Sequence, residues 1–220
     1  MSQHKLLLPK LEEFVKVYMS KYDPSHDWEH VNRVRNIALK IATSIDGDLD
    51  LQVVEISALL HDFNDTKYQE SSEAFNVSEY LTSLGYPLEM STLVHKIVQT
   101  VSYRKELAYK DLGEIDHWRE NCLELHIVQD ADKLEAMGAF GIMRCAAYSG
   151  VKNIVLYGSD IDYKSETFGD SPAEVDSCIG HFYEKLLKLK DTMKTEQGKL
   201  MAVARHDFMR TFLDQIELEL

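Results

Sequence analysis

Three short stretches of this chain carry residue types that can hold a divalent cation. SHDWEHVNRV contains His26, Asp27 and His30. ALLHDFND sets His61 beside Asp62 at the end of an apolar run. IVQDADKLEAMGA supplies Asp130. Together they offer two imidazoles, His30 and His61, and two carboxylates, Asp62 and Asp130. A mixed nitrogen and oxygen set of this kind suits one Mn²⁺, Fe²⁺, Co²⁺, Ni²⁺ or Mg²⁺ ion per chain, with positions left open for water and a substrate oxygen. A closed structural zinc site would favour cysteines instead. An open site points to Lewis-acid hydrolysis, in which a phosphoryl oxygen is polarised and hydroxide forms from bound water near neutral pH.

Further groups could serve that chemistry. Asp65 follows Asp62 by three residues and could orient or deprotonate the attacking water, or act simply as a turn residue. Lys67 stands beside it as a second catalytic candidate. Arg33, His95, Arg104, Lys133 and Arg144 are the candidates for contact with substrate phosphate.

The elements that must position these residues read almost throughout at helical period. Residues 10–21 carry Leu11, Phe14, Val15 and Tyr18, and Asp23-Pro24-Ser25 ends that helix. A second helix starts near residues 25–27 and runs to about residue 44 on the stripe Val31, Val34, Ile37, Ala38 and Ile41, with His30 at its inner edge. IDGDLDL, at 45–51, lacks the ligand spacing of a calcium loop and reads as a turn with an Asp N-cap. The next helix, about 49–62, ends on His61 and Asp62, where a helix terminus attracts cations. Helices are expected from Ser71-Ser72 to Ser83, from Pro87 to about 101, and from about 122 to 137. Residues 102–121 are polar and read as an irregular connection. Residues 150–170 read as a loop or lid. Ser171-Pro172-Ala173-Glu174 is a capping box that opens a helix carrying Ile179, Phe182, Leu186 and Leu189. A last helix spans about 195–218. The expected fold is all-α, a single domain of roughly eight to ten helices, with the motifs in a core of about 26–150 and C-terminal helices at about 171–218 packed on it.

Asp130 is placed by the line Ile127, Ala131, Leu134 and Gly138. It falls at the inner face of that helix, while Asp132 turns away toward Val128 and Glu135. A carboxylate facing a core needs a partner. The metal would be that partner, or else an arginine such as Arg144.

Composition narrows the functions. The chain has 220 residues and a formal net charge of −13. That charge repels long DNA or RNA but not a small anionic nucleotide met by a local cation cluster. No apolar run approaches the ~18–20 residues of a membrane span, and the opening MSQHKLLLPKLEEF resembles neither a signal peptide nor an anchor. The expectation is a cytoplasmic protein, with nuclear residence open, that could form a homodimer. Cys122, Cys145 and Cys178 are far apart in sequence, show no zinc spacing, and read as free thiols.

The ordered signatures HDWEHVNRV, ALLHDFND, VQDADKLEAMGAFGI and HFYEKLLKLKDTMKTEQGK span about residues 26–199. In this order they resemble the HD-domain superfamily of metal-dependent phosphohydrolases, most closely its small single-domain members. The resemblance implies His30, His61, Asp62 and Asp130 as metal ligands and an all-α core. It also implies hydrolysis of a nucleotide, a nucleoside triphosphate being cut to monophosphate and pyrophosphate. Other branches of the superfamily are nucleotide monophosphatases or cyclic-nucleotide phosphodiesterases, and the alternatives to the leading reading are a nucleoside 5′-monophosphatase and a non-catalytic metal- or nucleotide-binding sensor module. A two-metal branch, including a di-iron oxygenase, needs further histidines. His95, His117 and His126 are present but lack the close spacing of those branches. His206-Asp207 reads as a chance second pair, and His181, beside Phe182, as a packing residue.

Overall fold

The side chains that matter hang from helices whose ends are set by short polar caps. In a computed structural model that describes residues 3–63, 75–113, 115–159, 162–163, 165 and 177–220, Asp27 caps helix α2 (Trp28–Ala42) by accepting the His30 amide at 2.9 Å. Asp50 caps α3 (Leu51–Leu60) through the amides of Gln52 and Val53, so IDGDLDL is a turn and cap. A side-chain oxygen at this position satisfies amides that have no partner within the helix.

The described residues form eleven α-helices and one 3₁₀ helix, with no named strand. This is one more α-helix than the upper expectation. α1 (Gln3–Met19) starts earlier than its apolar stripe implied and carries Pro9 within it. It buries Leu7, Leu11, Val15 and Met19. α2 packs against α3 and against α8 (Leu123–Glu135), which is buried on nearly every side. α4 (Val77–Leu84) and α5 (Leu88–Thr100) form a hairpin through Gly85, whose φ of 104° suits a residue without a side chain. The expected cap for α4 at Ser71-Ser72 lies outside the described residues, and the observed cap is Asn76.

Residues 102–121 are not irregular. They hold α6 (Tyr103–Leu112) and α7 (His117–Asn121), capped by Ser102 and Asp116. The helical stripe was invisible because what α6 buries is a carboxylate, Glu106, rather than an apolar residue.

α9 (Gly138–Lys152) follows α8 after a break at Ala136 and Met137, and Gly138, its first residue, has a φ of 72°. The capping box at 171–174 and part of the expected lid lie outside the described residues; of the lid's described residues, 150–152 continue α9 and the rest form no helix. α10 (Cys178–Glu184) opens from Ser177, which also pairs with Val155 in an isolated parallel bridge. The 3₁₀ helix (Leu186–Thr192) leads to α11 (Glu196–Glu219), capped by Thr195. Among the described residues no helix is long and apolar enough to cross a membrane.

Candidate metal centre

α2 and the C-terminal end of α3 bring His30 and His61 together, their ring centroids 5.2 Å apart. His61 is the C-cap of α3, where the chain leaves the helix and Asp62 can turn back toward the imidazole it follows. His30 Nε2 and His61 Nε2 each lie 3.3 Å from Asp62 Oδ2. One donor atom from each of the three residues falls within 4.8 Å of the other two.

The tautomers follow from the second ring nitrogens. His61 Nδ1 is 2.8 Å from the Ala58 carbonyl oxygen, which can only accept, so Nδ1 carries the proton. His30 Nδ1 is 2.8 Å from Glu135 Oε2 and donates to that carboxylate. In the neutral rings, both Nε2 atoms then present lone pairs to an anionic oxygen. His61 Nε2 and Asp62 Oδ2 are buried with no hydrogen-bond partner among the described residues. Lone pairs converging on a buried carboxylate repel unless a cation lies between them. The residues present therefore fit a divalent ion, and a carboxylate behind a ligating imidazole is the arrangement that orients such ligands.

The electrostatics agree. Burial pushes the Asp62 carboxyl up, but His61 and His30 outweigh it and hold it well below the usual carboxylate range. At His30, burial and the Arg144 charge push the pKa down, the Asp62 carboxylate and the Glu135 hydrogen bond push it up, and the net direction is up. Positive charge is favoured at this point of the fold.

Asp130, expected as the second carboxylate ligand, has partners of its own. Asp130 is fully buried, and its oxygens accept from the Lys194 amide at 3.0 Å, the Thr195 amide at 2.7 Å and Thr195 Oγ1 at 2.8 Å. It ties α8 to the start of α11 and does not join the His30, His61 and Asp62 group. The alternative of an Arg144 ion pair fails too, since Arg144 Nη1 pairs with Glu135. Asp132 instead approaches the centre, its Oδ1 3.7 Å from His61 Nε2, and it lines the adjoining cleft.

That cleft has a volume of about 590 Å³ and runs from His61, Asp62 and Asp132 past α6 to α10. Its walls carry the cationic Arg104, Lys105 and Lys185 in a chain that is otherwise strongly acidic.

A motif order of this kind, held by this helical core, has close counterparts. Residues 27–137 match the family model described as the HD domain. The chain belongs to the HD domain family. Bacillus subtilis YpgQ, an uncharacterised protein, is 32% identical over 215 residues, covering 96% of this chain and 92% of its own. The crystal structure of YpgQ in complex with ADP superposes with a TM-score of 0.74 at 29% identity, over 96% of this chain and 97% of that one. An HD-superfamily hydrolase from Bacillus thuringiensis superposes at 0.72 with 33% identity, over 99% and 98% of the two chains.

Within this HD domain the other expected site residues separate. Arg104 lines the cleft from α6. Lys133 also lines it, but its ammonium is held by the Thr192 carbonyl at 2.7 Å and Glu106 at 3.3 Å. Arg144 lines the cleft while bonded to Glu135 and to the Ser25 carbonyl. Arg33 is not among the residues that line the cleft; its Nε donates to Glu135 at 2.7 Å and its guanidinium stacks over Phe140. His95, His117 and His126 do not line the cleft, and His126 Nε2 bonds the Arg119 carbonyl, so no second cluster of ligands adjoins the first among the described residues. His181 does line it, on α10. Asp65 and Lys67 lie outside the described residues. Glu135, buried and held by His30, Arg33 and Arg144, was missed by sequence reasoning. Its signal was position: it sits three residues after Asp132, on the same helix face.

Proposed function

We propose that this chain is a divalent-metal-dependent phosphohydrolase acting on a small nucleotide, and that it cuts a nucleoside triphosphate to monophosphate and pyrophosphate. The observation that carries the reading is the convergence of two bare imidazole nitrogens and the Asp62 oxygen beside a cation-walled cleft. The ADP bound to YpgQ and the hydrolase relative from Bacillus thuringiensis support it.

His30, His61, Asp62 and Asp132 would hold the ion. Bound there, a divalent ion supplies Lewis acidity toward a phosphoryl oxygen and hydroxide near neutral pH. Glu135 orients His30 and fixes its tautomer. Arg104, Lys105 and Lys185 balance the charge of a polyphosphate and hold it along the cleft. Lys133 and Arg144, already committed to protein partners, set the cleft wall. Asp65 and Lys67 stay in the proposal as the groups that move a proton and meet phosphate.

The test is a product assay. Protein stripped of metal is given Mn²⁺, Co²⁺, Ni²⁺ or Mg²⁺ with nucleoside mono- and triphosphates, and pyrophosphate and orthophosphate are read separately. Pyrophosphate with a monophosphate is expected. Orthophosphate from monophosphates alone would make the protein a nucleotidase. Bound metal and nucleotide without turnover would make it a sensor.

A further inference from the structure

Two of the three cysteines, 33 residues apart in the chain, meet behind the cleft wall. Cys145 on α9 and Cys178 at the start of α10 place their sulfurs 3.5 Å apart. Cys145 Sγ also lies 3.7 Å from the Cys178 carbonyl oxygen. Both thiols are free. Two sulfurs in van der Waals contact are placed to close to the ~2.05 Å of a disulfide. We propose that Cys145 and Cys178 form a reversible dithiol pair that hydrogen peroxide, or exchange with a small disulfide, closes into a bond pinning α10 to α9.

The surroundings separate the roles of the two sulfurs. Hydrogen bonding from Cys145 lowers the Cys178 thiol toward about 7 against the cost of burial, and Ser149 adds a second bond. Cys145 is pushed up by the same bond and by burial. With Cys178 as the thiolate that attacks, Cys145 is the thiol that resolves. With peroxide, the Cys178 thiolate takes one oxygen as the O–O bond breaks, and the hydroxide that leaves is protonated to water. Cys145 then attacks the Cys178 sulfenic sulfur. The S–O bond breaks and a second water leaves with the Cys145 proton. Two thiols lose two electrons and two protons, and one peroxide becomes two waters. Cys122 is an internal control: its sulfur meets Glu124, and burial raises its pKa.

The place of the pair gives the bond a consequence. α10 carries His181 and Glu184 into the cleft, Lys185 follows at its end, and Arg144 precedes Cys145 on α9. A covalent tie at the head of α10 fixes one wall of the cleft against the helix that braces Glu135.

The experiment uses the full chain. Reduced protein and protein treated with hydrogen peroxide or oxidised glutathione are alkylated with N-ethylmaleimide, then digested without reductant. Three alkylated cysteines are expected before oxidation, and Cys122 alone after it, with a linked peptide joining Cys145 and Cys178. Dithiothreitol should restore all three. Oxidation should raise the melting temperature by roughly 5–15 °C in wild type and in Cys122→Ser, and not in Cys145→Ser. Three reactive thiols after oxidant, or a bond that involves Cys122, would overturn the proposal. An unchanged melting temperature in protein that carries the bond would overturn the pinning of α10.

Discussion

Replacing Asp130 and replacing Asp132 should have opposite signatures. Asp130 accepts from two amides and one hydroxyl in a fully buried setting, and Lys133 Nζ lies 3.6 Å away. Asp130→Ala leaves three buried donors without a partner and removes a charge beside a buried ammonium. Each orphaned donor costs about 1–3 kcal/mol, and breaking a buried ionic set costs about 3–5 kcal/mol in all. At about 2–4 °C per kcal/mol for a chain of this size, the melting temperature should fall by roughly 10 °C or more. Asp132 is partly exposed, and its contact at the centre is 3.7 Å from His61. Asp132→Ala should therefore change stability by less than about 1 kcal/mol. Its loss should appear in metal binding, as a fall in Mn²⁺ affinity on the order of a hundredfold. Thermal melts in a chelator read the first effect, and titration of Mn²⁺ into stripped protein reads the second. The reasoning is refuted if Asp132→Ala binds Mn²⁺ like wild type while Asp130→Ala melts like wild type and has lost the metal.

Other changes follow from the same contacts. Glu135→Gln weakens the acceptor behind His30 Nδ1 and should lower Mn²⁺ affinity by roughly 10–100-fold, measured by the same titration. Glu106→Ala takes from Lys133 the nearer of its two carboxylates, leaving Asp130 at 3.6 Å, and should cost about 1–3 kcal/mol in urea melts. For Glu106, burial pushes the carboxyl up, but Lys133, Lys194 and Lys110 outweigh it, so its folded pKa lies below the ordinary 4.5. Its stabilisation is whole above pH 4.5 and is lost as pH falls through the folded value. The stability gap between wild type and Glu106→Gln should hold from about pH 7 to about pH 5 and narrow below that, and a gap that widens in acid would contradict the assignment. Gly198→Ala would set a methyl 2.5 Å from Asp130 Oδ2 and 2.7 Å from Thr195 Oγ1, so it should destabilise by about 1–3 kcal/mol, and an unshifted melting curve would count against the tight seat of α11 on Asp130.

The reach of sequence reasoning is clearest on α8. His30, His61 and Asp62 were legible because each sits at an identifiable place on a periodic helix: one at the edge of an apolar stripe, two where a helix ends. Asp130 is expected beside them because it lies on a buried face of α8, and the structure gives it amide and hydroxyl partners from the start of α11. On α8, Leu125, Ile127, Val128, Gln129, Asp130, Ala131, Lys133, Leu134 and Glu135 are all buried. An apolar line on such a helix marks one packed face among several and cannot say which of them meets the metal centre. Asp130 did need a partner, as its position required, but backbone amides at the mouth of α11 serve a buried carboxylate as well as a cation does. Those amides are 64 and 65 residues away in the chain and carry no side-chain signal.

The same limit explains α6. Its inward group is Glu106, met by Lys133 from α8 and Lys194 beside α11, so its amphipathicity is written in charge rather than in apolar spacing. Glu106 and Asp130 both lie where polar groups, rather than apolar ones, hold helices together. In this chain buried polar joints link the helices: α8 to α6 through Lys133, which lines the cleft, α8 to α11 through Asp130, and α2 to α9 through Glu135, which holds the cleft residue Arg144. Packing side chains place the helices, and these buried ion pairs set how the cleft is held between them. A change of charge at Asp130, Lys133 or Glu135 should therefore disturb the site more than an apolar truncation of equal size in α1.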